Sequence, residues 1–221
     1  MPQHSISDTR HRSAGIAPRP LCIDAVRTRV LAAASDYAPL FAARRAIECA
    51  DLLDPHFCRR LMDHCDRATF ALDRVAGLGA REIEAPQRVG MALNLALSRP
   101  EMLRWVEAVT GKRGLQKVDG RVVRTRANGE DGLDWHNDDH ETGGDVVRRL
   151  AITIGLSDQP FEGGAFDLRM SGSPELLITY RHDAAGTALI FDIDTRLEHR
   201  VRPVRIGGAR RVFTGWFLGA P

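Results

Sequence analysis

Lysine is almost missing from this chain of 221 residues: only Lys112 and Lys117 occur, beside 29 arginines. Arginine suits bidentate carboxylate binding, but a bias spread over the whole chain reflects general composition more than a site. A charge surplus is missing too. Thirty-one basic residues against 29 acidic leave a formal net charge of +2, which gives no compositional case for a nucleic-acid binder. The interleaved aromatics of a strand-binding groove are also lacking. No apolar run approaches the roughly 18 residues of a membrane span, and the N-terminus has no signal-peptide apolar stretch. Cys22, Cys49, Cys58 and Cys65 show no CxxC or other zinc spacing. They read as a reduced, intracellular set of small buried side chains. What is present is ordinary: 43% apolar and 27% charged residues, near soluble globular averages. Disordered, collagenous and disulfide-scaffold classes are excluded, and the length allows a large core. The polar, arginine-bearing segment from Met1 to Pro20 reads as a disordered tail in preference to a transit peptide. A cytoplasmic protein is expected.

Composition changes near residue 120. Before it the chain reads as helical. Ile23 to Arg45 is rich in Ala, Leu and Arg and interrupted by Pro39, before which Ala38 should leave the helical region. Asp54 stands as N-cap to a helix opened by Pro55, with Phe57, Leu61, Cys65 and Ala68 on one buried stripe. Pro100 opens another helix through Leu103, Val106 and Val109, ending near Gly111. After residue 120 come short β-rich runs. They are Arg121 to Arg126, Asp134 to Asp138, Arg149 to Leu156, Gly164 to Arg169, Glu175 to Tyr180, Thr187 to Phe191, Glu198 to Val201 and Arg210 to Leu218. Closely spaced strands without intervening helices predict an antiparallel sandwich or barrel. The helices should cover one sheet's outer face, giving a single α+β unit.

Three histidine-bearing features carry chemistry. In Trp135-His136-Asn137-Asp138 an imidazole and a carboxylate stand two residues apart in a predicted strand. They therefore share a face and can share one cation. His199 lies 63 residues later in another predicted strand. Two imidazoles and one carboxylate form a facial triad that leaves three octahedral positions open, the requirement of non-haem Fe(II) oxygen chemistry. Arg210 follows His199 by 11 residues, in a strand that alternates Arg210, Val212, Thr214 and Trp216 on one face with Arg211, Phe213 and Phe217 on the other. A guanidinium in a mostly apolar barrel needs a buried anion, which a dicarboxylate reaching the metal would supply. His140 stands four residues after His136, as in a helical zinc pair, but the HExxH glutamate is absent and the pattern is strand-like. Asp139 alternates away from His136, so Asp138 is the favoured carboxylate. His56, His64 and His182 read as ordinary surface or helix residues. Trp135 and Trp216 can stack on substrate or simply fill the core.

With these residues in view, the chain resembles the 2-oxoglutarate- and Fe(II)-dependent oxygenases, in their prolyl-hydroxylase-like branch, over about residues 47 to 217. The likeness begins at Ile47-Glu-Cys-Ala-Asp-Leu-Leu-Asp-Pro-His-Phe-Cys58. It continues through Gly129-Glu-Asp-Gly-Leu-Asp-Trp-His-Asn-Asp138, Phe161-Glu-Gly-Gly-Ala-Phe-Asp-Leu168 and Gly186-Thr-Ala-Leu-Ile-Phe191. It ends on His199-Arg-Val-Arg-Pro-Val204, Gly208-Ala-Arg210 and Trp216-Phe217. The resemblance implies a double-stranded β-helix (jelly-roll) barrel with N-terminal helices packed on one sheet. It implies Fe(II) held by His136, Asp138 and His199, and 2-oxoglutarate as cosubstrate with Arg210 on its 5-carboxylate. Dioxygen would be consumed, with release of succinate and carbon dioxide. Halogenating relatives have Gly or Ala where Asp138 stands, so hydroxylation is the implied outcome, with desaturation or ring closure still open. One departure is visible. Many relatives carry a tyrosine before the glycine preceding this motif, whereas here the stretch reads Arg124-Thr-Arg-Ala-Asn-Gly129. Either the contact is lost, or Arg124 or Arg126 replaces it or meets a substrate carboxylate. The expected substrate is a small molecule, an amino acid or a peptide, with no nucleic acid and no membrane as partner. A cupin-type metal enzyme without 2-oxoglutarate and a catalytically silent binding module are the competing readings.

Overall fold

The computed structural model describes residues 19–138 and 146–220, so nearly all of the expected tail, with Asp139 and His140, lies outside the described residues. The first half is more mixed than its composition suggests. It runs β1 (Leu21–Ile23), β2 (Thr28–Val30), a 3-10 turn (Ala34–Asp36), α1 (Ala38–Arg44), β3 (Ala46–Cys49), α2 (Pro55–Arg67), β4 (Phe70–Val75), β5 (Gly79–Glu84), α3 (Arg88–Leu97) and α4 (Pro100–Thr110). The helical expectation for residues 23–45 is therefore corrected. Pro39 lies at the start of α1, where its missing N–H costs nothing, so it opens the helix instead of breaking it. The hairpin β4–β5 went unpredicted because its strands are half-exposed and carry charge on both faces. Pairing, not local propensity, makes it a hairpin.

The expected caps are present. The Asp54 carboxylate accepts hydrogen bonds from the His56 and Phe57 amides at 3.0 and 3.2 Å, and Phe57, Leu61 and Cys65 are buried along α2. Gly111, at φ 74°, ends α4 in the left-handed region. All four cysteines are free and buried. Glu84, at the end of β5, is almost fully buried, and its two carboxylate oxygens accept the Val89 and Gly90 amides at 2.8 and 3.0 Å. An anion thereby meets the positive end of α3.

The second half runs β6 (Leu115–Thr125), β7 (Gly132–His136), β8 (Val147–Gly155), β9 (Phe161–Gly163), β10 (Phe166–Met170), β11 (Leu176–Tyr180), β12 (Ala188–Asp192), β13 (Leu197–Val201), β14 (Val204–Gly207) and β15 (Arg210–Gly219). Every expected strand is there, and β9 with β14 adds a small ribbon. β6 starts earlier than expected. Gly120 looks like a break, but it pairs with Gly215, and the Phe213 ring fills the space that the two missing side chains leave. The main sheet is antiparallel, in the order β11-β10-β13-β7-β5-β6-β15-β8-β12-β3, with β4 on β5. This is a nearly closed barrel of the double-stranded β-helix type. β5 bridges its two sides by pairing with both β6 and β7. That bridge requires glycine. A Cβ on Gly79 would lie 2.2 Å from the Gly132 carbonyl oxygen, and one on Gly132 would lie 2.6 Å from that of Val201.

Strand alternation divides the core. Leu150, Ile152, Ile154, Ala188, Ile190, Phe213 and Phe217 pack with Leu93, Leu97, Met102 and Val106 of the helices. The opposite face turns Ala151, Leu189 and Phe191 towards Phe166, Leu168, Ile178 and Tyr180. The helices therefore cover one face of the sheet, as expected, and the cavity opens on the other. No helix among the described residues is long and apolar enough to cross a membrane.

Candidate active site

The site begins as a strand pair. His199 of β13 is the direct antiparallel partner of His136 of β7, and cross-strand partners hold their Cβ atoms about 5 Å apart. The two imidazole centroids are 4.2 Å apart at 53°. Asp138 lies just past the end of β7, not in the strand as expected, yet its Oδ2 reaches to 3.7 Å from His199 Nε2. One potential ligand atom from each of the three residues falls within 4.8 Å of the others. Donors bonded at about 2.0–2.2 Å to one ion stand about 3–4 Å apart, so little rearrangement is needed.

Each side chain is held in the form a cation needs. His136 Nδ1 donates to the Asp134 carbonyl at 2.7 Å, which leaves the Nε2 lone pair free for the cavity. His199 is enclosed by Phe166, stacked at 5.3 Å, and Phe191, edge-on at 5.1 Å. Burial pushes its pKa down to about 4, with Asp138 pulling it back up and His136 pushing it further down. It is neutral near pH 7. Burial alone would raise the Asp138 pKa, but His199, the Trp216 N–H, His136 and Arg148 outweigh it and leave the carboxyl below its ordinary value. The Trp216 indole donates to Asp138 Oδ2 at 2.8 Å.

Deeper in the same cavity lies Arg210, only 2% exposed. Val212, Thr214 and Trp216, on its face of β15, line the cavity with it. Its stem passes over Gly164, where a Cβ would stand 2.7 Å from Arg210 Cδ. No carboxylate pairs with Arg210 among the described residues, and its Nε is buried without a partner. Burial lowers its pKa to about 10, which leaves it charged at neutral pH. An uncompensated buried cation costs several kcal/mol, so the cavity is built for an anion. His182 is not the surface residue expected. It is 5% exposed, and its Nε2 meets the Thr153 hydroxyl at 2.9 Å. Burial, then Arg210, pushes its pKa well below the ordinary value.

Residues 121–218 match the model of the 2OG-Fe(II) oxygenase superfamily. That match assigns the stretch from β6 to β15 to the superfamily. No protein of curated function matches it in sequence. Among solved structures, it is similar to an oxidoreductase of the 2OG-Fe(II) oxygenase family from Burkholderia pseudomallei. That match has a TM-score of 0.58 and 18% identity, over 85% of this chain and 91% of the other. A prolyl-4-hydroxylase from Pseudomonas putida gives a TM-score of 0.61 at 16% identity, over 83% and 97%. A prolyl hydroxylase from Trichoplax adhaerens, in complex with a hypoxia inducible factor peptide, gives 0.61 at 16%, over 84% and 89%. At these identities the likeness is one of fold.

The oxygenases of this superfamily use Fe(II) and 2-oxoglutarate, and the residues present fit both. Two imidazoles and a carboxylate suit a ferrous ion with open positions, and the Arg210 guanidinium, unpaired among the described residues, suits a dicarboxylate. Two expectations are corrected. Arg124 points away from the cavity, donates to Glu82 at 2.6 Å and lies over the Phe70 ring. Arg126 forms a bidentate pair with Asp131 at 2.7 and 3.0 Å. Neither lines the cavity, because each is drawn to a largely buried carboxylate outside it, Glu82 at 12% and Asp131 at 4% side-chain exposure. Trp135 is likewise outside, between the Arg169 and Arg200 guanidinium groups. His56 and His64 are exposed on α2, as expected. Sequence reasoning missed Arg81, Thr153, Phe166 and Phe191, all in the cavity wall. Thr153 was findable: in β8 the large Leu150, Ile152 and Ile154 alternate with the small Ala151, Thr153 and Gly155.

Proposed function

We propose that this oxygenase is a hydroxylase acting on an unactivated C–H bond of a small molecule, an amino acid or a peptidyl residue. One observation carries the reading: three metal-donor side chains and a buried guanidinium without a carboxylate share one cavity. In this reading His136, Asp138 and His199 each give one donor to Fe(II). Arg210 takes the distal carboxylate of 2-oxoglutarate as a charge-assisted pair, and the Thr153 hydroxyl, oriented by His182, faces the same space. When bound, the ion and its cosubstrate supply the oxidative chemistry, consuming dioxygen and releasing succinate and carbon dioxide. The chain supplies orientation. Asp134 fixes the His136 tautomer, Trp216 steadies Asp138, and Phe166 with Phe191 keeps water from His199. A carboxylate at position 138 fills the place a halide would need, which favours hydroxylation. Residues 21–221 act as one domain, with the helices backing the sheet that carries the site.

The test is Fe(II)-dependent succinate formation from 2-oxoglutarate by the purified protein. Arg210→Ala is expected to weaken 2-oxoglutarate use by at least ~30-fold, the cost of truncating a buried charge pair. Metal-dependent turnover indifferent to that change would instead indicate a cupin-type enzyme without 2-oxoglutarate. Failure to bind Fe(II) at all would indicate a silent binding module.

A further inference from the structure

A second group of arginines surrounds Trp216, whose indole lines the cavity beside Asp138. On β15 that indole is flanked diagonally by an arginine on each neighbouring strand. Arg121 of β6 pairs in register with Thr214, and Arg148 of β8 with Leu218. Both share the face of Trp216. The Arg148 guanidinium lies 3.9 Å from the indole centroid and that of Arg121 lies 5.6 Å away. Arg81 of β5 completes the group from the cavity wall.

Their carboxylate partners among the described residues do not balance them. Arg81 is paired with Asp73 at 2.9 Å. Among the described residues Arg148 makes a 3.9 Å approach to Asp138 Oδ1 and a 3.4 Å hydrogen bond to the Asp138 carbonyl; that carboxylate's charge belongs to the metal in the reading above, and the Arg148 Nε is buried without a partner. Arg121 has no ion pair among the described residues. Burial first, then the Arg81 and Arg148 charges, lowers its pKa, while Asp73 and Asp119 pull it up. Like charges gathered around one half-buried indole are unfavourable alone and become favourable when an anion enters. The indole beneath them also offers a flat apolar surface beside the Asp138 carboxylate.

We propose that Arg121, helped by Arg81 and Arg148, forms a subsite for an oxyanion carried by the molecule to be oxidised, a carboxylate or a phosphate, separate from the cosubstrate anchor at Arg210. This deepens the hydroxylase reading and rests on it. An anionic group held over Trp216 is fixed next to Asp138, so the subsite would choose which C–H bond faces the metal.

Inorganic phosphate is the first probe, titrated calorimetrically into metal-free full-length protein. Arg210→Gln, which removes the other anion site, should still bind phosphate. Adding Arg121→Gln should weaken that binding about tenfold or more, the scale of a lost charged hydrogen bond, and Arg121→Lys should largely restore it. Arg81→Gln, measured separately, should also weaken it and covers the case in which Arg121→Gln does not fold. Equal phosphate binding with and without Arg121 overturns the proposal, as does phosphate binding lost only with Arg210. The second probe is a panel of N-acetyl amino acids and sugar phosphates, each beside its neutral amide or dephosphorylated form. Stimulation of succinate release by the anionic member alone supports the subsite and names the oxyanion, whereas equal stimulation by neutral members contradicts it. A protein that binds phosphate through Arg121 but never consumes 2-oxoglutarate would sink the hydroxylase reading and leave the anion site standing.

Discussion

The two faces of the central sheet are made by the same strands and follow opposite rules. Towards the helices, β8, β12 and β15 present Leu150, Ile152, Ile154, Ile190, Phe213 and Phe217, all buried and apolar. Towards the cavity β8 and β15 present Ala151, Thr153, Gly155, Arg210, Val212, Thr214 and Trp216, and β12 presents Leu189 and Phe191. One face is filled to native density and supplies stability. The other mixes small, polar and aromatic side chains, leaves space, and tolerates a cation without a partner among the described residues. Strand alternation is what lets ten residues of β15 do both.

That contrast predicts where mutations act. The largest effect on chemistry is expected at Asp138→Ala. Residues supporting metal ligands cost about 10–100-fold when lost, so loss of this ligand should reduce Fe(II)-dependent succinate release by more than ~100-fold, with the melting temperature nearly unchanged. Phe213→Ala, on the opposite face, should do the reverse. It should cost about 3–5 kcal/mol of stability, read by chemical denaturation, while the folded fraction retains its affinity for 2-oxoglutarate. Gly164→Ala probes the seam between the two behaviours. Gly164 has φ +63° and no space before Arg210 Cδ. Its substitution should cost about 1–3 kcal/mol and also weaken 2-oxoglutarate binding, seen by calorimetry.

Acid should expose the cavity face through His182. Its folded pKa lies well below 6.5 because burial, then Arg210, disfavours the cation. Below about pH 6.5 the unfolded chain therefore holds a proton that the folded chain refuses, and stability falls as pH falls, by up to about 1.4 kcal/mol per pH unit for this group. His182→Gln should flatten that part of the metal-free stability profile in urea denaturation between pH 7 and 5. The smallest effect is expected at Arg124→Gln. Its pair with Glu82 is part-buried but stands outside the cavity wall. The KM for 2-oxoglutarate should not change.

How much of this was legible follows from what local pattern can encode. The barrel strands were readable as short β-rich runs divided by Gly, Asp and Ser, and His136, Asp138, His199 and Arg210 were readable because their spacing fits two paired strands and a third nearby. The hairpin β4–β5 was not, because its half-exposed strands lack a consistent apolar face. Arg124 was misjudged because its partner, Glu82, comes from that unseen hairpin, 42 residues away in sequence. Arg81 was missed for the same reason. His182 looked unremarkable in Arg181-His-Asp183, and only the fold of the loop after β11 carries it under Thr153. With 29 arginines in the chain, the residue type marked nothing. Function was marked by burial without a carboxylate, a property of three-dimensional pairing.

The most direct test is an anaerobic titration of the Fe(II)-loaded protein with 2-oxoglutarate, followed by visible absorption in the native chain and in Arg210→Ala and His199→Ala. A weak band from the chelate is expected in the native protein at sub-millimolar cosubstrate. It should shift to much higher concentration in Arg210→Ala and be absent in His199→Ala. A native protein that shows no band at millimolar cosubstrate, or a band indifferent to both substitutions, would contradict the assignment of these side chains to iron and 2-oxoglutarate.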